Sequence, residues 1–136
     1  LERLVVLVID DDAGVREGIA MLLRQHGCQV ECAFDIDEAL ARLVESELAP
    51  DLLLADYRLP NGRTGLEAID VIRDELNDDV PALLVTGDTT PALLGEARKR
   101  RVPLLHKPID ARQLFREMDA AMRSRRADGA SDGSGP

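Results

Sequence analysis

The chain has 136 residues and a formal charge of −9. That length suits one ordinary domain with a sizeable buried core, and the acidic balance argues against a nucleic-acid or anionic-membrane surface, because phosphate binding draws mainly on Lys and Arg. No apolar stretch approaches the roughly 20 residues of a membrane span and the opening residues lack a signal-peptide pattern, so the chain as given reads as soluble.

Leu1 stands where Met is usual, as expected of a fragment or a trimmed start. The first apolar run, Leu4 to Ile9, closes on Asp10-Asp11-Asp12. A helix follows over about Ala13 to His26, with Val15, Ile19, Leu22 and Leu23 on one face and Gly27 as its stop. The second run is Val30 to Phe34, where Cys28 and Cys32 share parity and read as core packing. Asp35 before Glu38 is a weak capping box for the next helix. The third run, Leu52-Leu53-Leu54-Ala55, closes on Asp56 and passes into Tyr57-Arg58-Leu59-Pro60 and a Gly-containing loop.

Thr64-Gly65-Leu66-Glu67 is the strongest capping box, the Thr hydroxyl and Glu carboxylate reciprocally serving backbone donors. The fourth run, Ala82 to Thr86, is followed by Thr90-Pro91, an N-cap with Pro at the first helical position. The helix so opened ends in Arg98-Lys99-Arg100-Arg101, read as a solvated end that suits the helix dipole. The fifth run, Val102 to Leu105, leads to His106-Lys107-Pro108, and Asp110 before Gln113 opens a last helix over about Ala111 to Arg123. Its apolar side carries Leu114, Phe115, Met118 and Met122. From Ser124 the composition turns to Ser, Arg, Asp and Gly, which predicts a flexible C-terminal tail over 124–136 and a single domain over 1–123.

Strand-like runs alternating with helical patterns predict a repeated β-α architecture with a parallel sheet. Ligands of such sheets gather at the carboxyl ends of the strands, where Asp10, Asp11 and Asp56 would converge. Two unit charges about 4 Å apart repel by roughly 4 kcal/mol at an effective dielectric near 20, so such a cluster protonates or recruits a hard cation such as Mg²⁺. Thr86 and Lys107 end the neighbouring strands and add a hydroxyl and an amine. A carboxylate nucleophile attacking a phosphoryl group needs this set: a divalent ion, a positive point charge and a hydroxyl donor. Gly-rich phosphate loops are absent, and nucleotide binding loses its main support.

The order and spacing of Val8-Ile9-Asp10-Asp11-Asp12, Asp56 with Leu59-Pro60 and Gly65, Thr86-Gly87 and Lys107-Pro108 resemble the response-regulator receiver domain of two-component signalling, over essentially Leu4 to Met122. The resemblance implies a flavodoxin-like, doubly wound five-stranded parallel sheet of order 2-1-3-4-5 with helices on both faces. It implies Asp56 as phosphoacceptor, with Mg²⁺ held by Asp11 directly, by Asp10 through water or from behind, by Asp56, and by the backbone carbonyl of Arg58. Thr86 would hydrogen-bond the phosphoryl oxygen, Lys107 would pair with it, and a cis Lys107–Pro108 bond would aim that lysine. Arg58 and Asp88 would tune acyl-phosphate lifetime. The implied partner is a sensor histidine kinase or a histidine phosphotransfer protein, the location cytoplasmic, and a weak homodimer is compatible with it.

Two departures stand out. Leu104 occupies the place three before the lysine where the family often has an aromatic switch, and the Pro60 to Gly65 loop is one residue longer than the commonest pattern. That loop and the Pro103 to Pro108 segment look most like receivers at the C-terminus of hybrid sensor histidine kinases. Two rival readings remain: an aspartate-nucleophile phosphatase, in which Arg58 replaces the expected second acid, and a degenerate receiver that serves only as a docking module. Asp12 reads as the cap of the first helix, and Tyr57 as packing beside the site.

Overall fold

The computed structural model describes residues 3–46, 49–87 and 89–134, the side chains as far as residue 126. The five apolar runs form strands β1 Val5–Ile9, β2 Gln29–Ala33, β3 Leu52–Asp56, β4 Ala82–Thr86 and β5 Leu104–His106. All pair in parallel, in the order β2-β1-β3-β4-β5. Helices α1 Ala13–Gln25, α2 Ile36–Glu45, α3 Gly65–Leu76, α4 Pro91–Lys99 and α5 Ala111–Ser134 alternate with them. This is the doubly wound, flavodoxin-like sheet that the sequence implied. Asp88 lies outside the described residues, as do Leu1 and the chain's last two positions.

Alternation along the strands sorts the core into two layers. Val6, Val8, Leu52, Leu54, Leu83, Val85 and Leu105 pack with Ile19, Ala20 and Leu23 of α1 and Leu114 and Met118 of α5. Leu7, Ile9, Leu53, Ala55, Ala82 and Leu84 pack with α2, α3 and α4 on the opposite face. Cys28 and Cys32 both join the α1/α5 layer as free thiols, in accord with their shared parity.

Helix starts follow the polar signals, with one exchange of roles. The side chains of Asp12, Asp35, Thr64 and Thr90 each accept a backbone N–H three residues on. Glu67, expected to reach back to its own cap, is instead held by Arg63 Nε at 2.8 Å. The weaker pattern is the one that closes: Glu38 accepts the Phe34 N–H at 2.9 Å, one residue ahead of the Asp35 cap. A nearby guanidinium outbids an exposed amide because both of its partners are charged.

One other expectation is revised. Arg100 is not simply solvated: its Nε bonds Asp70 of α3 at 3.0 Å and its Nη1 bonds Glu96 at 2.7 Å, while Arg73 Nη1 donates to its carbonyl. Arg73 also donates to Val80 O, so it ties α3 to the entrances of β4 and the end of α4; burial, set against Asp79 and Asp70, lowers its pKa. At the C-terminus the helical backbone continues past Arg123 to Ser134, and Arg125 Nη2 meets Asp78 Oδ2 at 2.8 Å. The stretch holds no Pro before Pro136, and extending an existing helix adds a hydrogen bond for each residue fixed.

The long loop after β3 is folded back on the sheet. Pro60–Gly62 form a 3-10 turn with Asn61 and Gly62 at φ of 63° and 71°, and Arg58 pairs with Thr64 across it. The Gly65 N–H donates to Tyr57 O at 2.8 Å, which draws the start of α3 against β3. A Cβ at Gly65 would run into the Asp56 carbonyl oxygen and the Leu84 side chain. Overpacking of this kind costs about 1 to 3 kcal/mol. Gly65→Ala should therefore lower the unfolding free energy by that amount, seen as a lower urea midpoint with an unchanged m-value; an unchanged midpoint would show that α3 can move away freely.

Candidate acidic site at the carboxyl edge of the sheet

The same alternation that builds the α1/α5 layer delivers the functional side chains. Asp10 follows Val8, Asp56 follows Leu54 and Lys107 follows Leu105, each two residues on, so each continues the row of one sheet face. Ile9 is in register with Ala55, Asp56 with Val85, and Thr86 with His106, which sets these strand ends side by side. The result is a group of carboxylates, Asp10, Asp11 and Asp56, whose oxygens lie within 4.8 Å of one another. Lys107 Nζ reaches Asp56 Oδ1 at 3.0 Å.

Burial makes this an uncomfortable arrangement. Asp10 and Asp56 are 2% and 7% exposed, whereas Asp11 is open to solvent. Desolvation raises the Asp10 pKa, opposed by the Asp12 N–H that its carboxylate accepts at 2.9 Å, and the charge of Asp56 pushes it further up. Desolvation also raises Asp56, against the hydrogen bond and charge of Lys107. Burial by itself lowers Lys107, but the hydrogen bond and charge of Asp56, with Asp10 and Asp11 behind it, leave its pKa above the ordinary value. Three carboxylates facing one amine leave an excess of two negative charges when all are ionised (−3 + 1 = −2). Oxygen donors alone, clustered and partly dry, form the donor set that suits a hard divalent cation such as Mg²⁺.

The remaining residues read as site members in the sequence lie around this group. Thr86 is 2% exposed at the end of β4, and its carbonyl accepts the Lys107 N–H at 2.9 Å, so strand pairing carries β4 and β5 up to the site. The Lys107–Pro108 bond is cis, as the resemblance implied. Arg58 is exposed two residues beyond Asp56, on the turn bridged to Thr64. Tyr57 is half-buried against the α2–α4 layer, in keeping with its reading as a packing residue, and Leu104 packs there as well. Asp12 caps α1.

Arg16 was not legible as a neighbour of the site. Its Nη1 donates to the Asp10 carbonyl at 2.7 Å, fixing the backbone between the two metal-ligand candidates from the first turn of α1. Six residues separate the pair, and no local pattern signals a contact between a helical side chain and a strand-end carbonyl at that spacing. His26 takes no part: it stacks on Phe115 with ring centroids 3.8 Å apart, on the α1/α5 side. His106 ends β5 in an exposed position.

Comparison with known proteins agrees with this geometry. Residues 6–119 match the model of the response regulator receiver domain family. Among curated proteins, the chain is similar to the phosphate regulon transcriptional regulatory protein PhoB of Klebsiella pneumoniae, 32% identical over 121 residues, covering 87% of this chain and 51% of that protein. It is also similar to the DNA-binding response regulator MtrA of Mycolicibacterium paratuberculosis, 30% identical over 118 residues, with 87% and 51% covered. The chain thus spans about half the length of the curated relatives it matches. Among solved structures, the chemotaxis response regulator CheY4 of Vibrio cholerae superposes with a TM-score of 0.75 at 26% identity, covering 88% of this chain and 98% of that one. With its sheet order, its acidic cluster and this match over most of its length, the chain belongs to the response regulator receiver domain family.

Proposed function

We propose that the domain accepts a phosphoryl group from phosphohistidine onto Asp56 and uses the acyl phosphate to change its affinity for partners. The single observation behind this reading is the buried, lysine-paired Asp56 within a cluster of carboxylates at the strand ends. In the transfer, the P–N bond to the donor imidazole breaks as a P–O bond to an Asp56 carboxylate oxygen forms, and the imidazole takes up a proton. Hydrolysis later returns the carboxylate and inorganic phosphate. The chain is thus a phosphoacceptor taking part in its own transfer and dephosphorylation, not an enzyme acting on a separate substrate.

Mg²⁺ would be held by Asp10, Asp11, Asp56 and the Arg58 carbonyl, and would offset the charge gathering on the equatorial phosphoryl oxygens. Lys107, now on Asp56, would pass to a phosphoryl oxygen, and the Thr86 hydroxyl would donate to another. Arg16 would keep the Asp10–Asp11 backbone from yielding. Phosphorylation would add close to two negative charges beside Thr86, drawing the loop after β4 inward and altering the surface of α4 and α5. With Leu104 in place of an aromatic residue, this rearrangement would run through Thr86 and its loop.

The donor is proposed to be a sensor histidine kinase or a histidine phosphotransfer protein. The hybrid-kinase setting, a cytoplasmic location and a weak homodimer belong to the same proposal. So does the division into a receiver domain of residues 1–123 and a flexible C-terminal tail of 124–136. No helix among the described residues is long and apolar enough to cross a membrane.

Incubation with Mg²⁺ and acetyl phosphate should add the mass of one phosphoryl group to the wild-type chain and none to Asp56→Asn or to an EDTA-treated sample. Equal labelling of Asp56→Asn would overturn Asp56 as acceptor, and no labelling with Mg²⁺ binding intact would favour the docking-only module. A calibrated substrate panel should show no phosphatase turnover above background.

Charge excess also predicts how stability responds to pH and metal. The raised pKa of Asp10 and Asp56 means that folding holds a proton the unfolded chain has lost. Their favourable contribution is complete below the ordinary carboxylate value of 3.8 and is lost as pH rises through the raised folded values. At neutral pH in EDTA, Asp10→Asn, which keeps an oxygen for the Asp12 N–H, should melt a few degrees above wild type, for a gain of roughly 1 kcal/mol. Millimolar Mg²⁺ should narrow or reverse that difference, and so should acid. Equal melting at all pH values would show that Asp10 is not repelled.

A further inference from the structure

A second charged depression lies beside the acidic site, on the open β2 edge between α1 and α2. It has a volume of about 890 Å³ and is lined by Arg16, Arg24 and Arg42 around Cys32, with Met21 and Phe34 forming an apolar wall. In a chain of net charge −9, the gathering of three guanidiniums at one opening is against the general trend of the surface. Their charges converge on one point: burial raises the Cys32 thiol pKa, and Arg24, Arg16 and Arg42 all pull it back down.

Each arginine is anchored but not saturated. Arg16 gives one bond to the Asp10 carbonyl at 2.7 Å and Arg24 gives one to the Val30 carbonyl at 3.2 Å, while a guanidinium carries five donors. Arg24 also covers the strand edge at Val30, so an added strand would have to displace it, and the opening favours a small ligand over an extended peptide. Arg42 Nε is shielded from solvent and has no hydrogen-bond partner among the described residues. A buried donor left unmet is unfavourable, and a small turn of the Arg42 side chain toward the groove would let an incoming oxygen satisfy it.

Asp11, Glu17 and Glu38 share the rim and equal the arginines in formal charge, but at Cys32 the three arginines act more strongly than any carboxylate. Glu38 is turned to the Phe34 N–H at the start of α2, Asp11 belongs to the carboxylate cluster, and Glu17 is exposed on α1. Phe34 and Met21 remain 44% and 61% exposed, large apolar groups left open beside the arginines. Arginine forks match phosphate oxygens, a doubly charged group with three terminal oxygens suits three of them better than a carboxylate does, and an exposed aromatic ring offers a stacking face to a planar body.

We propose that this groove is a binding site for a small organic phosphate with a planar or apolar body, held by Arg16, Arg24 and Arg42 and packed against Phe34 and Met21. It would adjoin the phosphoacceptor cluster, sharing Asp11 on its rim and touching Asp10 through Arg16, which holds the Asp10 carbonyl.

Titration of the full chain in EDTA with adenosine monophosphate, followed by amide NMR shifts, tests this without recourse to phosphorylation. Saturable shifts centred on Cys32, Phe34 and Met21 are expected, with binding weakened at least tenfold by Arg42→Met. Met21→Glu, a change at an exposed position, should weaken it severalfold and serves should Arg42→Met fail to fold. Arg101→Met, exposed on the far side of α4, should bind as wild type does. Inorganic phosphate should bind more weakly than the monophosphate, and citrate more weakly still. Shifts that do not saturate, that centre on Lys107, or that fall equally in Arg42→Met and Arg101→Met would overturn the proposal.

Discussion

Repulsion among Asp10, Asp11 and Asp56 is the interaction to which the rest of the molecule is fitted. Carboxylates confined within 4.8 Å of one another would separate if they stood on loops. Here two of them are the next residues in line on parallel strands whose cores are completely buried, so parting them would mean breaking the sheet. Parallel pairing of β1 with β3, with Ile9 opposite Ala55, is what turns a sequence separation of 46 residues between Asp10 and Asp56 into adjacency (56 − 10 = 46). The hydrophobic layers on both faces supply the free energy that holds the charges together.

Relief comes from one side only. Lys107 neutralises one charge at 3.0 Å, and the Asp12 N–H and the Arg16 guanidinium brace Asp10 through its side chain and its carbonyl. These contacts fix position more than they cancel charge, since two of the three have a neutral backbone group as one partner. The remaining excess is suited to a divalent cation, and the proposed phosphoryl group would bring further charge that needs that cation. A site made comfortable by a second lysine would hold Asp56 more firmly and receive a phosphoryl group less readily.

Much of this was legible in the sequence because it rests on two short-range rules. Strand alternation places Asp10, Asp56 and Lys107 on one face as soon as the apolar runs are read, and turn chemistry places Asp12, Asp35, Thr64 and Thr90 at helix starts. The residues that escaped are arginines. Arg16 on Asp10, Arg73 on Val80 and Arg100, and Arg100 on Asp70 all join elements through a long side chain to a carbonyl or an acid. A guanidinium reaches six or seven ångströms from its Cα and satisfies no periodic pattern, so a run such as Arg98 to Arg101 looks uniformly solvated although one member is a tie between helices. The same limit explains Glu67, whose capping partner was predictable until Arg63, four residues away, offered a charged one.

Those arginine ties also bear on how a local charge change would travel. Asp70 lies on α3, which starts at Gly65 against the Asp56 carbonyl, and Arg100 lies at the end of α4, which starts after the Thr86 loop. The two helices that leave the site from adjacent strands are therefore joined again by the Arg100–Asp70 pair, from the end of α4 to the middle of α3, and by Arg73 in the last turn of α3. With the half-buried Leu104 in place of a mobile ring, movement of the loop after Thr86 has no aromatic lever on β5 to turn. Displacement of the α4 start would instead pivot the helix about its clamped C-terminal end, making the first turn of α4 the part of the surface that responds most.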